Sequence, residues 1–66
     1  MNAIECYFYY NDEQIFNMKI INTQYIKVGF KIEFNYKTYK TYTVKEVIFG
    51  IPKDESEEEY LIIYVE

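Results

Sequence analysis

The feature that most constrains this chain is the period of its hydrophobic pattern. From Ala3 to Tyr10, Ile4, Cys6, Phe8 and Tyr10 alternate with Ala3, Glu5, Tyr7 and Tyr9. A period of two, rich in aromatic residues, is the pattern of a β-strand, because successive side chains leave opposite faces of the pleat. The same period returns in Val28, Phe30, Ile32 and Phe34, set against Gly29, Lys31, Glu33 and Asn35. It returns again at the end, where Leu61, Ile63 and Val65 alternate with Tyr60, Ile62 and Tyr64.

Between these runs the reading needs more argument. Asn11-Asp12-Glu13-Gln14 is a polar tetrapeptide suited to a turn. Ile15 to Asn22 can then form a second strand, with Phe16, Met18 and Ile20 facing in. A helix over residues 13–21 is the rival, since Asn11 as N-cap and Gln14 three residues on would make a capping box. Ile15, Phe16, Met18, Ile20 and Ile21 form no clean stripe at helical spacing, which favours the hairpin. Thr23 to Lys27 reads as a connection, and Asn35-Tyr36-Lys37-Thr38 as a turn without the usual glycine.

Tyr39 to Phe49 is a long strand with a break of phase. Tyr42 and Val44 share one parity, while Val47 and Phe49 share the other. Lys45-Glu46 therefore predicts a β-bulge that bends the strand and returns the apolar residues to the inner face. Gly50-Ile51-Pro52 ends the strand, and Lys53 to Glu59 is a polar loop with the acids Asp54, Glu55, Glu57, Glu58 and Glu59. Five strands on short connections, one of them bent, predict an all-β fold, a small five-stranded antiparallel barrel or roll of SH3-like or OB-like type. Phe8, Phe30 or Ile32, Phe34, Val44, Val47, Phe49, Leu61 and Ile63 are its expected core.

The size of the chain limits how such a sheet is stabilised. Its 66 residues allow one domain, 1–66, with a single cysteine and no histidine. No intrachain disulfide and no Cys/His zinc site can staple it. Aromatic and β-branched packing must supply stability, aided by self-association; nine Tyr and five Phe are available for it. Cys6 lies in an apolar run and reads as a small buried hydrophobe. A lone cysteine, no apolar run near the length of a membrane helix, and no basic stretch at the N-terminus together point to a cytoplasmic location.

The segments Val28-Gly29-Phe30-Lys31-Ile32-Glu33-Phe34-Asn35, then Tyr39 or Tyr42, Val44, Val47 and Phe49, then Leu61-Ile62-Ile63-Tyr64-Val65-Glu66 form a recurring pattern. Over roughly the last 40 residues it resembles small SH3-like β-barrel proteins of low-GC bacteria and their phages. The chain departs from that pattern at Phe30, where an acid is usual, in the missing turn glycine, and in extra length around Thr41-Tyr42-Thr43. The resemblance implies a fold and carries no functional residue. The bias to Lys, Asn, Ile, Tyr and Phe agrees with AT-rich coding.

Chemistry is thin. Without histidine there is no Ser-His or Cys-His nucleophile, Ser56 lies among acids, and Gly29 and Gly50 are isolated rather than part of a phosphate loop. A carboxylate pair of Glu33 and Glu46 across the sheet is the one acid–base arrangement left open, and alternating outward carboxylates are ordinary solvated surface. The chain is expected not to be an enzyme and to need neither cofactor nor metal; the acids of residues 54–59 lack the spacing and turn glycine of a calcium loop. A net charge of −4 with no arginine counts against nucleic acid. An OB-type single-strand binder would suit the tyrosines and not the charge.

The tyrosines carry the sharper signal. Tyr7, Tyr9, Tyr60, Ile62 and Tyr64 all lie opposite the expected core faces of the first and last strands, which often neighbour one another in small rolls. Each Tyr alone reads as a strand former with a wet hydroxyl; as a group they read as a partner-binding patch. The acidic loop reads first as a solubilising loop and second as a dock for a basic partner. The expected function is a non-enzymatic protein-binding module, a homo-oligomer in its simplest form. If phage-encoded, it suits an inhibitor of a host enzyme or defence system. The alternative is a small-ligand binder that sequesters a nucleotide-like molecule on its aromatic faces, against which the missing Arg and Gly-rich loop count.

Overall fold

The computed structural model of the chain describes residues 3–34, 40–54 and 56–66. Five strands follow one another: β1 (Ile4–Tyr10), β2 (Glu13–Ile20), β3 (Lys31–Phe34), β4 (Lys40–Gly50) and β5 (Tyr60–Val65). They form one sheet in the order β2-β1-β5-β4-β3, curled into a half-barrel. Among the described residues no helix is long and apolar enough to cross a membrane.

Residues 13–20 are strand, not helix, and they join β1 through a two-residue turn. Asn11 and Asp12 have φ of 52° and 62°, the left-handed pair that a type I′ hairpin turn demands and that Asn and Asp tolerate best among side-chain-bearing residues. The turn is thus half as long as the tetrapeptide expected. Phe8 pairs with Phe16 but Tyr9 with Gln14, so Ile15 is an unpaired extra residue. This bulge turns both Ile15 and Phe16 toward the core, which is why β2 shows no simple alternation.

The predicted bulge in β4 is present. Val44 pairs with Val65 and Glu46 with Tyr64, leaving Lys45 unpaired. Val44 and Val47 thereby face the same core in spite of their opposite parity. Beyond the bulge the ladder continues through paired hydrogen bonds between Thr43 and Glu66, at 2.8 and 2.9 Å.

One pairing departs from the wholly antiparallel barrel. β1 and β5 are neighbours, as expected, but they run parallel, Cys6 opposite Leu61 and Phe8 opposite Ile63. The reason is parity. Strands that alternate in direction along the chain put the first and the fifth in the same direction, so their pairing must be parallel. The sheet is therefore mixed. Among the described residues β2 and β3 form no ladder, so the barrel is open along that seam.

Residues 21–30 span the seam as two turns rather than a strand. Ile26 N–H donates to Thr23 C=O at 3.0 Å, and Phe30 N–H to Lys27 C=O at 3.0 Å. Gly29 has φ of +93°, as a type II turn requires at its third residue. The expected strand from Val28 therefore begins only at Lys31, and Val28 and Phe30 are exposed. The turn proposed at Asn35–Thr38 lies outside the described residues.

Cys6, Phe8, Val44, Leu61, Ile63 and Val65 are the fully buried core. Ile32, Phe34 and Val47 pack against it half-buried. Phe49 is a correction: it sits opposite Leu61 on the inner face, yet is 52% exposed. β3 pairs only with residues 40–43 of β4, so among the described residues no strand lines the outer edge of β4 beyond its bulge, where β5 is the one neighbour, and Phe49 stays open to solvent.

Candidate functional site

Directly paired residues project from the same face of a sheet, so the registers assemble the outer face row by row. Lys19, Glu5, Tyr60 and Gly50 form one row across β2, β1, β5 and β4. Asn17, Tyr7, Ile62 and Ile48 form the next, and Gln14, Tyr9, Tyr64 and Glu46 the third. The five residues Tyr7, Tyr9, Tyr60, Ile62 and Tyr64 are thus brought together on one face, each half-buried. Tyr7 and Tyr60 meet edge to face at 6.1 Å between ring centroids, and Tyr9 and Tyr64 lie 5.6 Å apart. Such pairs hold the rings in fixed orientations.

Gly50 seats one of these rings. The Tyr60 ring covers Gly50 so closely that a Cβ there would collide with it. A glycine ends the run of side chains on β4, and an aromatic residue from the neighbouring strand fills the space.

The loop before β5 brings its acids to the edge of this face. Asp54 is exposed, and its carboxylate accepts a hydrogen bond from the Ser56 N–H at 3.0 Å. That bond, reinforced by the Ser56 hydroxyl, holds the Asp54 carboxyl below the usual range. Glu57 N–H closes a turn onto Asp54 C=O at 3.0 Å. Glu55 lies outside the described residues. Glu57, Glu58 and Glu59 line an open hollow of about 590 Å³ together with Glu5, Tyr7, Tyr9, Gln14, Lys19, Tyr60 and Ile62. The tyrosine patch and the acidic loop, read separately in the sequence, share this hollow.

Glu5 is among its lining residues and was not singled out from the sequence. Its parity with Tyr7 and Tyr9 was the available signal. Its Oε2 is buried with no hydrogen-bond partner among the described residues. Lys19 is its cross-strand neighbour but reaches Glu58 instead, with Nζ 3.6 Å from Oε2.

The catalytic pair left open by the sequence does not assemble. Glu33 pairs with Thr41, while Glu46 lies beyond the bulge opposite Tyr64, roughly 15 Å farther along β4 at strand rise. Cys6 is a buried free thiol. Burial, with the nearby Glu5 carboxylate adding to it, pushes that thiol up to about 11, so it is not a nucleophile at neutral pH. No group of three or more His, Cys, Asp or Glu among the described residues is placed to hold a metal ion.

A second concavity was not legible in the sequence. The open seam is a groove of about 540 Å³, walled by Phe16, Met18, Phe30, Ile32 and Phe34, with Tyr25 and Ile26 at its rim. It is apolar, and Glu33 is its one charged lining residue among the described residues.

No family model, no curated protein and no solved structure matches this chain.

Proposed function

We propose that the chain is a non-enzymatic binding module that engages a partner protein through the outer tyrosine face. The observation that carries this is the contiguous patch of Tyr7, Tyr9, Tyr60, Ile62 and Tyr64 on the outer sheet face, which no second layer covers among the described residues. Tyrosine adds contact area and a hydroxyl at small entropic cost, and is enriched where interfaces are strongest. A reducing cytoplasm suits a module whose one cysteine is a buried thiol. The SH3-like resemblance is to proteins of low-GC bacteria and their phages; for a phage-encoded chain, covering a host enzyme or defence protein is the role such a face would serve.

A second reading has its own observation. The seam groove falls in the volume range of small-molecule sites, and its aromatic walls suit a flat or apolar ligand. A nucleotide-like ligand fits it less well, because among the described residues phosphates would meet Glu33 and no cation.

The two readings separate by mutation. With the partner captured, identified and purified, Tyr64→Glu should weaken binding at least about tenfold, and Phe30→Glu in the groove should leave it unchanged. Sedimentation equilibrium of the parent decides whether that partner is a second copy. Parent-strength binding by Tyr64→Glu would overturn the tyrosine face as the docking surface.

A further inference from the structure

The hollow at the edge of the tyrosine face has a composition that selects what it can hold. Its walls are the rings of Tyr7, Tyr9 and Tyr60, and among the described residues its charge is four carboxylates, Glu5, Glu57, Glu58 and Glu59, to one ammonium. That ammonium, on Lys19, is engaged with Glu58. A carboxylate oxygen shielded from water and lacking a donor is destabilising until something supplies one, and Glu5 Oε2 is such an atom. Tyrosine ring faces attract cations through their quadrupole. Anions and phosphates are disfavoured by this combination. Two copies meeting here would oppose their acids, so charge complementarity points away from self-pairing at this spot and toward a foreign basic surface.

We infer that this hollow receives a cationic side chain, arginine in preference to lysine, from a basic segment of the partner protein. The inference rests on the tyrosine face being the docking surface and names the chemistry of its partner. A guanidinium satisfies both halves of the site at once. Its planar fork donates to the Glu5 carboxylate, and its flat face stacks on a tyrosine ring. Glu57, Glu58 and Glu59 lie around the rim, where exposed charge steers encounter more than it adds affinity.

The test uses a soluble peptide of alternating arginine and glycine, and its counterpart with citrulline, which keeps the shape and removes the charge. Each is titrated into the full chain while the ring resonances of Tyr7, Tyr9 and Tyr60 are followed by NMR. The arginine peptide should give saturable shifts at these three rings, with Phe16 and Phe30 in the seam groove unmoved. Citrulline should bind at least about tenfold more weakly. Glu5→Gln, which keeps the side-chain shape, should bring a similar loss. The exposed triple variant Glu57→Gln/Glu58→Gln/Glu59→Gln, which leaves the sheet untouched, should reduce the salt dependence of binding. Equal binding of the two peptides, or parent-strength arginine binding by Glu5→Gln, overturns the cation site. If Tyr64→Glu still weakens binding of the purified partner, that failure belongs to this inference alone. If Tyr64→Glu is silent as well, the docking face itself has failed.

Discussion

Cys6 packs in β1 between Met18 of β2 and Leu61 of β5, and none of its surface reaches solvent. Its thiol titrates near 11 in the fold against an ordinary 9.0. Between those values the native state keeps a proton that the unfolded chain has released. Its contribution to stability is therefore fully present below 9.0 and is lost as pH rises through about 11. A tenfold difference in proton affinity between the two states corresponds to about 1.4 kcal/mol. Cys6→Ala should be less stable at neutral pH because of the cavity, yet lose less further stability between these pH values than the parent. The difference between the two proteins removes the tyrosine and lysine titrations common to both. Urea midpoints measured across that range check it, and parallel pH curves would mean that the thiol is not shielded in the native state.

The elements of this fold are shaped by single extra or constrained residues. In the β1–β2 turn, Asp12 holds φ of 62°, a left-handed conformation that β-branched side chains resist strongly. Asp12→Val should cost about 1–2 kcal/mol, whereas Asp12→Gly, which makes the favoured Asn-Gly pair, should cost nothing. Urea unfolding with unchanged slope would record both. Equal losses for the two would place the constraint in the Asp12 side chain rather than in its backbone. The bulges at Ile15 and Lys45 act at the same scale, each letting a strand keep its apolar residues on one face while it bends. The Lys45 bulge was legible because parity changes across it with apolar residues on both sides. The Ile15 bulge was not, because Ile15 and Phe16 are adjacent apolar residues and either can be the extra one.

For the whole molecule the open seam sets the margin of stability. Where β2 and β3 lack a ladder, side chains make the join. Phe34 of β3 meets Phe16 of β2 at 5.4 Å, Phe8 of β1 at 5.3 Å and Tyr42 of β4 at 5.5 Å. Lys40 Nζ adds a cation over Tyr42 and Tyr10, at 5.1 and 5.0 Å from their centroids. Phe34→Ala should cost about 3 kcal/mol, a large part of the roughly 3–10 kcal/mol a domain of this length has in total. Phe49→Ala, on the uncovered half of β4, should cost well under half of that. Thermal or urea unfolding of the two variants ranks them, and a larger loss for Phe49 would mean that its inner face is covered in solution.

The residues alone determined the all-β class, the position of most strands, the β4 bulge and, within each strand, the side on which the tyrosines lie. All of these rest on period-two alternation, a property of neighbours in the chain. Tertiary structure decided what depends on partners distant in sequence. The parallel β1–β5 pairing follows from strand parity only once those strands are adjacent. The exposure of Phe49 follows from the four-residue length of β3, set by the Gly29 turn that precedes it. The meeting of Glu5 with Glu57, Glu58 and Glu59 needs β5 beside β1, because only that adjacency carries the acidic loop to the edge of the tyrosine face. Alternation specifies which side chains share a face of a strand; the register between strands decides which of them share a site.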